Sequence, residues 1–382
     1  MAVLSKTAVR WAEHDRRMIT ALLVTLAAAQ AATFDASRWT LTDPGARMLP
    51  YLGRPSLFLD SGVALLNGSS FGDGTIDVDV ALHGHPSFAG IAFRAASDKD
   101  YELVYVRPHL SRRPDALQYT PVYHGSAAWQ LYTGDGFTAA AELPLNRWVH
   151  LKLVASGNQA RLYVDGAATP QLTMTDLKRP WAHGQVGLWG GLGGASFSNF
   201  TVSPADTTAP PSTDGATGTS GATADGHQLL KTWDLSQAFE TAKVPDNAIP
   251  GRASLTWTPV VAERSGIVNI AQYRASVRSA DSVKGSRDLA FARAVVTSSR
   301  AQRMRLVLAY SDAVHLFVNG RLLFEGESAF QSRDTSFLGI ASLGPDAIYV
   351  DLRPGDNEIV LAVSETFGGW GFAVRLEPVA PE

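Results

Sequence analysis

With 382 residues, 45% of them hydrophobic, the chain has length enough for two cores. A net charge of −3 argues against a nucleic-acid or anionic-membrane partner. The absence of cysteine excludes disulfides, thiolate chemistry and cysteine-based zinc sites.

Met18–Ala32 reads MITALLVTLAAAQAA, with Arg10, Arg16 and Arg17 before it and a small-residue cleavage pattern at Ala29-Gln30-Ala31. That is the pattern of a secretory signal over residues 1–31, and it implies export to the periplasm or the extracellular space. The apolar run is short for a bilayer, so no membrane span is expected in the mature chain. The long leading segment with Glu13 and Asp15 departs from the pattern, and a packed N-terminal helix is the alternative.

Residues 32–203 read as all-β. Short alternating or apolar runs recur between turn residues, at Ser56–Leu59, Val63–Leu66, Thr75–Leu82 and Phe88–Arg94. The densest cluster of chemistry-bearing side chains follows, between Tyr101 and Phe137. Alternation over Tyr101–His109 puts Tyr101, Leu103, Tyr105, Arg107 and His109 on one face, and Glu102, Val104 and Val106 on the other. A second strand is expected at Leu117–His124 and a third around Trp129–Tyr132. Together the three would present Arg107, His109, Gln118, Tyr119, Trp129, Gln130 and Tyr132 to a ligand. Rings beside planar polar groups suit a sugar, with its apolar C–H faces and rim of hydroxyls. The competing reading is that the rings are core and the polar groups bond locally.

Further strands are expected at Trp148–Ala155, Ala160–Val164, Gln185–Trp189 and Ala195–Val202. Arg147-Trp148-Val149-His150-Leu151-Lys152-Leu153-Val154 and Ala160-Arg161-Leu162-Tyr163-Val164-Asp165-Gly166 resemble the laminin-G and concanavalin A-like signature. Gly184–Trp189 and Ala195–Val202 resemble the closing strands of that superfamily, and are also similar to 3-keto-disaccharide hydrolase-like domains. The resemblance implies a two-sheet jelly roll with its ligand on the concave sheet or rim loops. It is specific for fold and weak for activity, because this sandwich hosts lectins, glycosidases and adhesion modules. Relatives often bind calcium, but no loop of Asp/Asn ligand spacing stands out here, and no cofactor is expected.

Residues 204–227 are rich in Pro, Ser, Thr, Gly and Ala, which bury too little surface to fold, and are expected to form a disordered, flexible linker. Residues 228–382 read as a second β-sandwich. Strands are expected at Leu229–Leu235, Ala253–Thr258, Ile267–Tyr273, Leu289–Thr297, Met304–Tyr310 and Gly371–Glu377. Asn319-Gly320 is a hairpin turn between Val314–Val318 and Arg321–Glu325. AYSDAVHLFVNGRLLFEG, LRPGDNEIVLAV and GWGFAVRLE resemble the galactose-binding-like jelly roll appended to many glycosidases. In such domains rim loops carry sugars, which makes Trp370, within Phe367-Gly368-Gly369-Trp370, the second domain's ligand candidate. A packing tryptophan is the equal alternative.

Other motifs are weaker. Gly68-Ser69-Ser70-Phe71-Gly72 fits a nucleophile elbow in letters, but a strand follows it where the motif needs a helix. Asp77 and Asp79 share one strand face, as a glycosidase carboxylate pair would, yet alternating polar residues are what a half-exposed strand shows. His83-Gly84-His85 lacks further metal-ligand spacing, so no metal site is assigned.

The expectation is an exported protein of two β-sandwich domains that binds a glycan or oligosaccharide without catalysis. One alternative is a carbohydrate-active enzyme, a glycoside hydrolase or 3-keto-glycoside lyase, with His109 as general base and Arg107 stabilising negative charge. Another is an adhesion or scaffold module that binds protein. Neither the particular glycan nor the oligomeric state is readable from these residues.

Overall fold

The structure, a computed structural model, describes residues 30–31, 35–84, 86–205, 222–223, 226–245, 248–251 and 254–379. The signal segment therefore lies outside the described residues apart from Gln30–Ala31, which pair antiparallel with Val202 and Thr201. His85 is also outside them, as is most of the linker. Of the linker's described residues, Pro204 and Ala205 extend the last strand of the first domain, and Ala222–Thr223 pair in parallel with Val296 and Thr297.

The first domain is two packed antiparallel sheets, each eight-stranded. The first sheet runs Leu172–Met174, Gln159–Val164, Trp148–Ser156, Asp73–Leu82, Ala195–Ala205, Arg54–Leu59 and Arg47–Tyr51, with Gln30–Ala31 added beside Ala195–Ala205. The second runs Ser126–Ala127, Leu117–Tyr123, Asp100–Val106, Phe88–Ser97, Gln185–Gly191, Val63–Leu66 and Trp39–Leu41, with Thr138–Ala139 added beside Leu117–Tyr123. Strand alternation turns Ile76, Val78 and Val80 of one sheet toward Ile91, Val104 and Val106 of the other. These six and Phe197 are sealed from water, and their burial drives the two layers together.

The second domain repeats the plan. Its eight-stranded sheet has the order Thr258–Val261, Thr232–Leu235, Asp288–Ser298, Gly355–Glu365, Ala313–Val318 and Arg321–Glu327, with two short strands added beside Asp288–Ser298. The facing five-stranded sheet runs Gln228–Leu229, Gly371–Pro378, Gln302–Ser311 and Asp346–Leu352, with Val268–Asn269 added beside Gly371–Pro378. Trp233, Leu306, Leu316, Leu361 and Phe372 fill the space between. Asn319 and Gly320 both take positive φ, 51° and 80°, as the expected two-residue turn requires.

Four expected strands differ. Leu229–Leu235 breaks at Leu230–Lys231, leaving Gln228–Leu229 in one sheet and Thr232–Leu235 in the other. Trp129–Tyr132 forms a turn and not a strand, because the chain leaves the sheet there to reach the other domain. Among the described residues of Ala253–Thr258 only Thr258 is strand, the first residue of Thr258–Val261. Ile267–Tyr273 shortens to Val268–Asn269, after which Asn269 caps a 3-10 turn over Ile270–Gln272.

Candidate functional site

The outer face of the second sheet carries a row of rings. Register places Tyr105 and Trp189 on either side of Gly90, and their ring centroids lie 5.3 Å apart. Gly90 is needed there, since a Cβ would come within 2.7 Å of the Val104 carbonyl oxygen and 2.8 Å of the Tyr105 Cβ. Phe88, two residues along the same face, packs edge-on against both Trp189 and His109. The Arg107 guanidinium lies over the Tyr105 ring at 5.1 Å and over the Trp129 ring at 5.5 Å. Trp129 then meets Phe330 and Phe367 of the second domain, with centroids 6.0 and 5.9 Å away. Phe367 is 60% exposed and Phe330 40% exposed, while Trp129, Trp189, Phe88 and His109 are half-buried. The shelf is thus open to solvent and built by both domains. Trp129 and His109 are the predicted residues that the fold brings to it; Arg107 lies beneath, 7% exposed, its guanidinium donating to the Tyr105 hydroxyl, the Gln118 amide oxygen and the Asp115 carbonyl.

The other predicted site residues are withdrawn from solvent. Gln118 faces Tyr105, but its amide is spent on structure: its oxygen accepts from Arg107 and from the Tyr105 hydroxyl, and its nitrogen donates to the carbonyls of Trp129 and Tyr132. It anchors the turn that holds Trp129. Tyr119 points the opposite way, into the sandwich, as the neighbour of Gln118 on one strand must. Its hydroxyl donates to Glu102 at 2.8 Å and accepts from the Lys178 N–H. Burial pushes the Glu102 carboxyl up to about 7, against the lowering effect of the Tyr119 hydrogen bond. Trp370 is only 3% exposed, with its indole N–H donating to the Val363 carbonyl, and is a packing tryptophan.

Gln130 and Tyr132 form the joint between the domains. The Gln130 N–H donates to the Gly368 carbonyl, and its own carbonyl accepts from the Ala341 N–H. Its side-chain amide donates to the Leu338 carbonyl and accepts from the Ser311 hydroxyl. Tyr132 donates to Glu263, which also pairs with Lys178, and accepts from the Asn269 amide. Ala128, Leu131 and Tyr132 pack with Ile267 and Ala341. The rim loop of the second domain therefore grips the first domain, burying Trp370 and leaving Phe367 exposed.

A second polar cluster lies on the outer face of the first sheet. Register sets His150 opposite Asp79, so Asp77 and Asp79 flank one imidazole. The His150 Nδ1 is 2.8 Å from Asp79 and its Nε2 is 3.1 Å from Asp77. Arg54 and Asn199 also bond Asp79, and Arg54 lies over the Trp148 ring. Asp77 and Asp79 are half-buried on the solvent side, where alternation places them. The reading from sequence missed His150, although the match between the Trp148–Ser156 and Asp73–Leu82 strands holds the signal. His83, whose imidazole burial makes harder to protonate, bonds Ser196 at 2.9 Å and stacks on Tyr51. Among the described residues no three His, Asp or Glu side chains converge as a metal-ligand set, and no helix is long and apolar enough to cross a membrane.

Residues 61–203 match the family model of the concanavalin A-like lectin/glucanases superfamily. Solved structures similar to this chain include a carbohydrate-binding module from Bacillus subtilis, at 20% identity, covering 44% of this chain and 95% of that one with a TM-score of 0.34. A galectin from Caenorhabditis elegans is 14% identical, over 43% of this chain and 99% of its own, with a TM-score of 0.29. A Bacillus licheniformis beta-glucanase is 11% identical, over 44% and 91%, with a TM-score of 0.30. No curated protein sequence matches the chain. Likenesses this distant say nothing about which ligand the first domain takes, so its function rests on the side chains it presents.

Proposed function

We propose that the chain is an exported, non-catalytic glycan-binding protein whose main site is the aromatic shelf at the junction of its two domains. The observation that carries this reading is the gathering of Trp129, Phe330 and Phe367, partly exposed and edge-to-face, beside the Arg107 guanidinium. Rings supply stacking area for sugar C–H faces, and His109 supplies a polar edge for hydroxyls, while Arg107, already bonded to Tyr105, Gln118 and Asp115, steadies the Trp129 ring. The signal-like pattern in residues 1–31 supports export. The test is a glycan array with the intact protein, followed by product analysis of every hit. Binding without turnover that Trp129→Ala abolishes is the expected result. An array with no hit, or a hit that survives Trp129→Ala, overturns the shelf.

A second reading, a carbohydrate-active enzyme, draws its support from His150 and not from His109. An imidazole bonded to two carboxylates on an open sheet face has the parts of an acid–base site. Turnover of an array hit that His150→Asn abolishes, with binding retained, would establish this reading in place of the first.

A further inference from the structure

With the rim loop of the second domain engaged by Gln130, a concavity of that domain free of the joint lies on the outer face of its eight-stranded sheet. Strand register explains why a hollow exists there. Leu289, Ser364, Ala313 and Glu327 lie in one row across the sheet, and Phe291, Ala362, His315 and Glu325 in the next. The central positions of the rows hold Ser364, Ala313 and Ala362, small side chains between longer groups on either side. The result is a trough of about 500 Å³, within the range of small-ligand sites. Phe291 and Leu289 form one wall, capped by Val244 and Pro245. His315, Glu325 and Glu327 form the other. Arg287 closes one end, bonded through both terminal nitrogens to Glu327 at 2.8 and 3.1 Å, so those two charges cancel. Among the described residues neither His315 nor Glu325 makes a side-chain hydrogen bond or ion pair, which leaves an imidazole and a carboxylate facing the hollow.

We propose that this trough is a second binding site, for a pyranose that is neutral or carries an ammonium group. A pyranose has an apolar face for Phe291 and Leu289 and an edge of hydroxyls for His315 and Glu325. The unpaired Glu325 carboxylate favours an amino sugar and disfavours a uronic acid, whose carboxylate it would repel. The site is independent of the shelf, since it shares no residue with it.

The test uses the intact chain in saturation-transfer NMR and titration with methyl glucoside, glucosamine and glucuronate. Methyl glucoside and glucosamine are expected to bind, and glucuronate to bind at least tenfold more weakly than glucosamine. The measurements are repeated in a Trp129→Ala background, which removes the shelf's contribution: there binding persists, and adding Ala362→Trp, which fills the trough floor without entering the core between the sheets, abolishes it. Glu325→Gln, at an exposed position, removes the preference for glucosamine over methyl glucoside and decides the matter if the tryptophan variant does not fold. The proposal is overturned if neither probe binds the wild type, if binding survives in the folded double variant carrying Trp129→Ala and Ala362→Trp, if Glu325→Gln leaves the preference intact, or if Trp129→Ala alone removes the binding. Only the last of these assigns the sugar to the shelf, so the two sites fail in different ways.

Discussion

Tyr132 of the first domain donates its hydroxyl proton to Glu263 of the second, 131 positions further along the chain, and Lys178 pairs with the same carboxylate at 2.6 Å. Lys178 also lies over the Tyr132 ring at 5.4 Å, so one cation serves both partners. The Tyr132 side chain is almost fully enclosed, at 1% exposure.

Tyr132→Phe keeps the ring but leaves Glu263 and the Asn269 amide short of a buried partner. The expected cost is about 1–3 kcal/mol, the penalty for an unsatisfied buried polar group. Chemical denaturation read by tryptophan fluorescence checks it, and a loss well below that range would mean that water reaches the joint.

Gly368→Ala separates the domains by a different route. Gly368 has φ of 105°, and a Cβ there would run into the Gln130 side-chain amide. The joint is expected to open while both cores persist, giving a larger radius of gyration in small-angle scattering. Gly320→Ala is the control: its φ is 80° and nothing lies within 4 Å of an added Cβ. It strains a turn and should leave the scattering unchanged.

Stability should fall with rising pH partly through Glu365. Burial, and then the neighbouring Asp312 carboxylate, push its carboxyl up to about 8, against the Gly369 N–H and Arg278, which favour the charged form. Asp288 adds to the repulsion. In the unfolded chain the group titrates near its ordinary 4.5. Between those values the native protein holds a proton that the unfolded chain has released. The contribution is therefore complete below pH 4.5 and lost as pH climbs through 8. Glu365→Gln should flatten the decline in unfolding free energy across that window. Part of it persists up to about pH 7, because Glu102 shifts in the same direction. An unchanged slope would show that Glu365 ionises normally in the native state.

Tyr119→Phe removes a hydroxyl that serves both the Glu102 carboxylate and the Lys178 N–H. Glu102 is fully enclosed, so a loss of about 1–3 kcal/mol is expected, with the carboxyl moving further upward. Carboxyl-region NMR titration of the variant, compared with wild type, reads that movement.

Strand alternation was legible from the letters: Tyr105 and Arg107 lie on one face, Glu102 and Val104 on the other, and Asn319-Gly320 makes its turn. The same rule forbade Gln118 and Tyr119 from serving one ligand, since neighbours on a strand point to opposite faces. The joint was not legible, because Gln130 bonds Ser311, Leu338, Ala341 and Gly368, and no local pattern links a turn to loops so distant in sequence. For the same reason the aromatic density of Tyr101–Phe137 marked the right region but not its division of labour. Trp129 went to the shelf, Tyr119 to the core, and Tyr132 to the second domain. His150 escaped notice because its significance depends on cross-strand register with Asp79, which only pairing fixes.

Because Trp129 comes from one domain and Phe330 and Phe367 from the other, the shelf is a quality of the assembled pair and of neither half. A truncation that expresses either sandwich alone would retain a folded core yet lack part of the aromatic floor. Ligand screens on dissected fragments would then return a false negative, whereas the trough beside Glu325, contained within the second sandwich, would survive the same dissection.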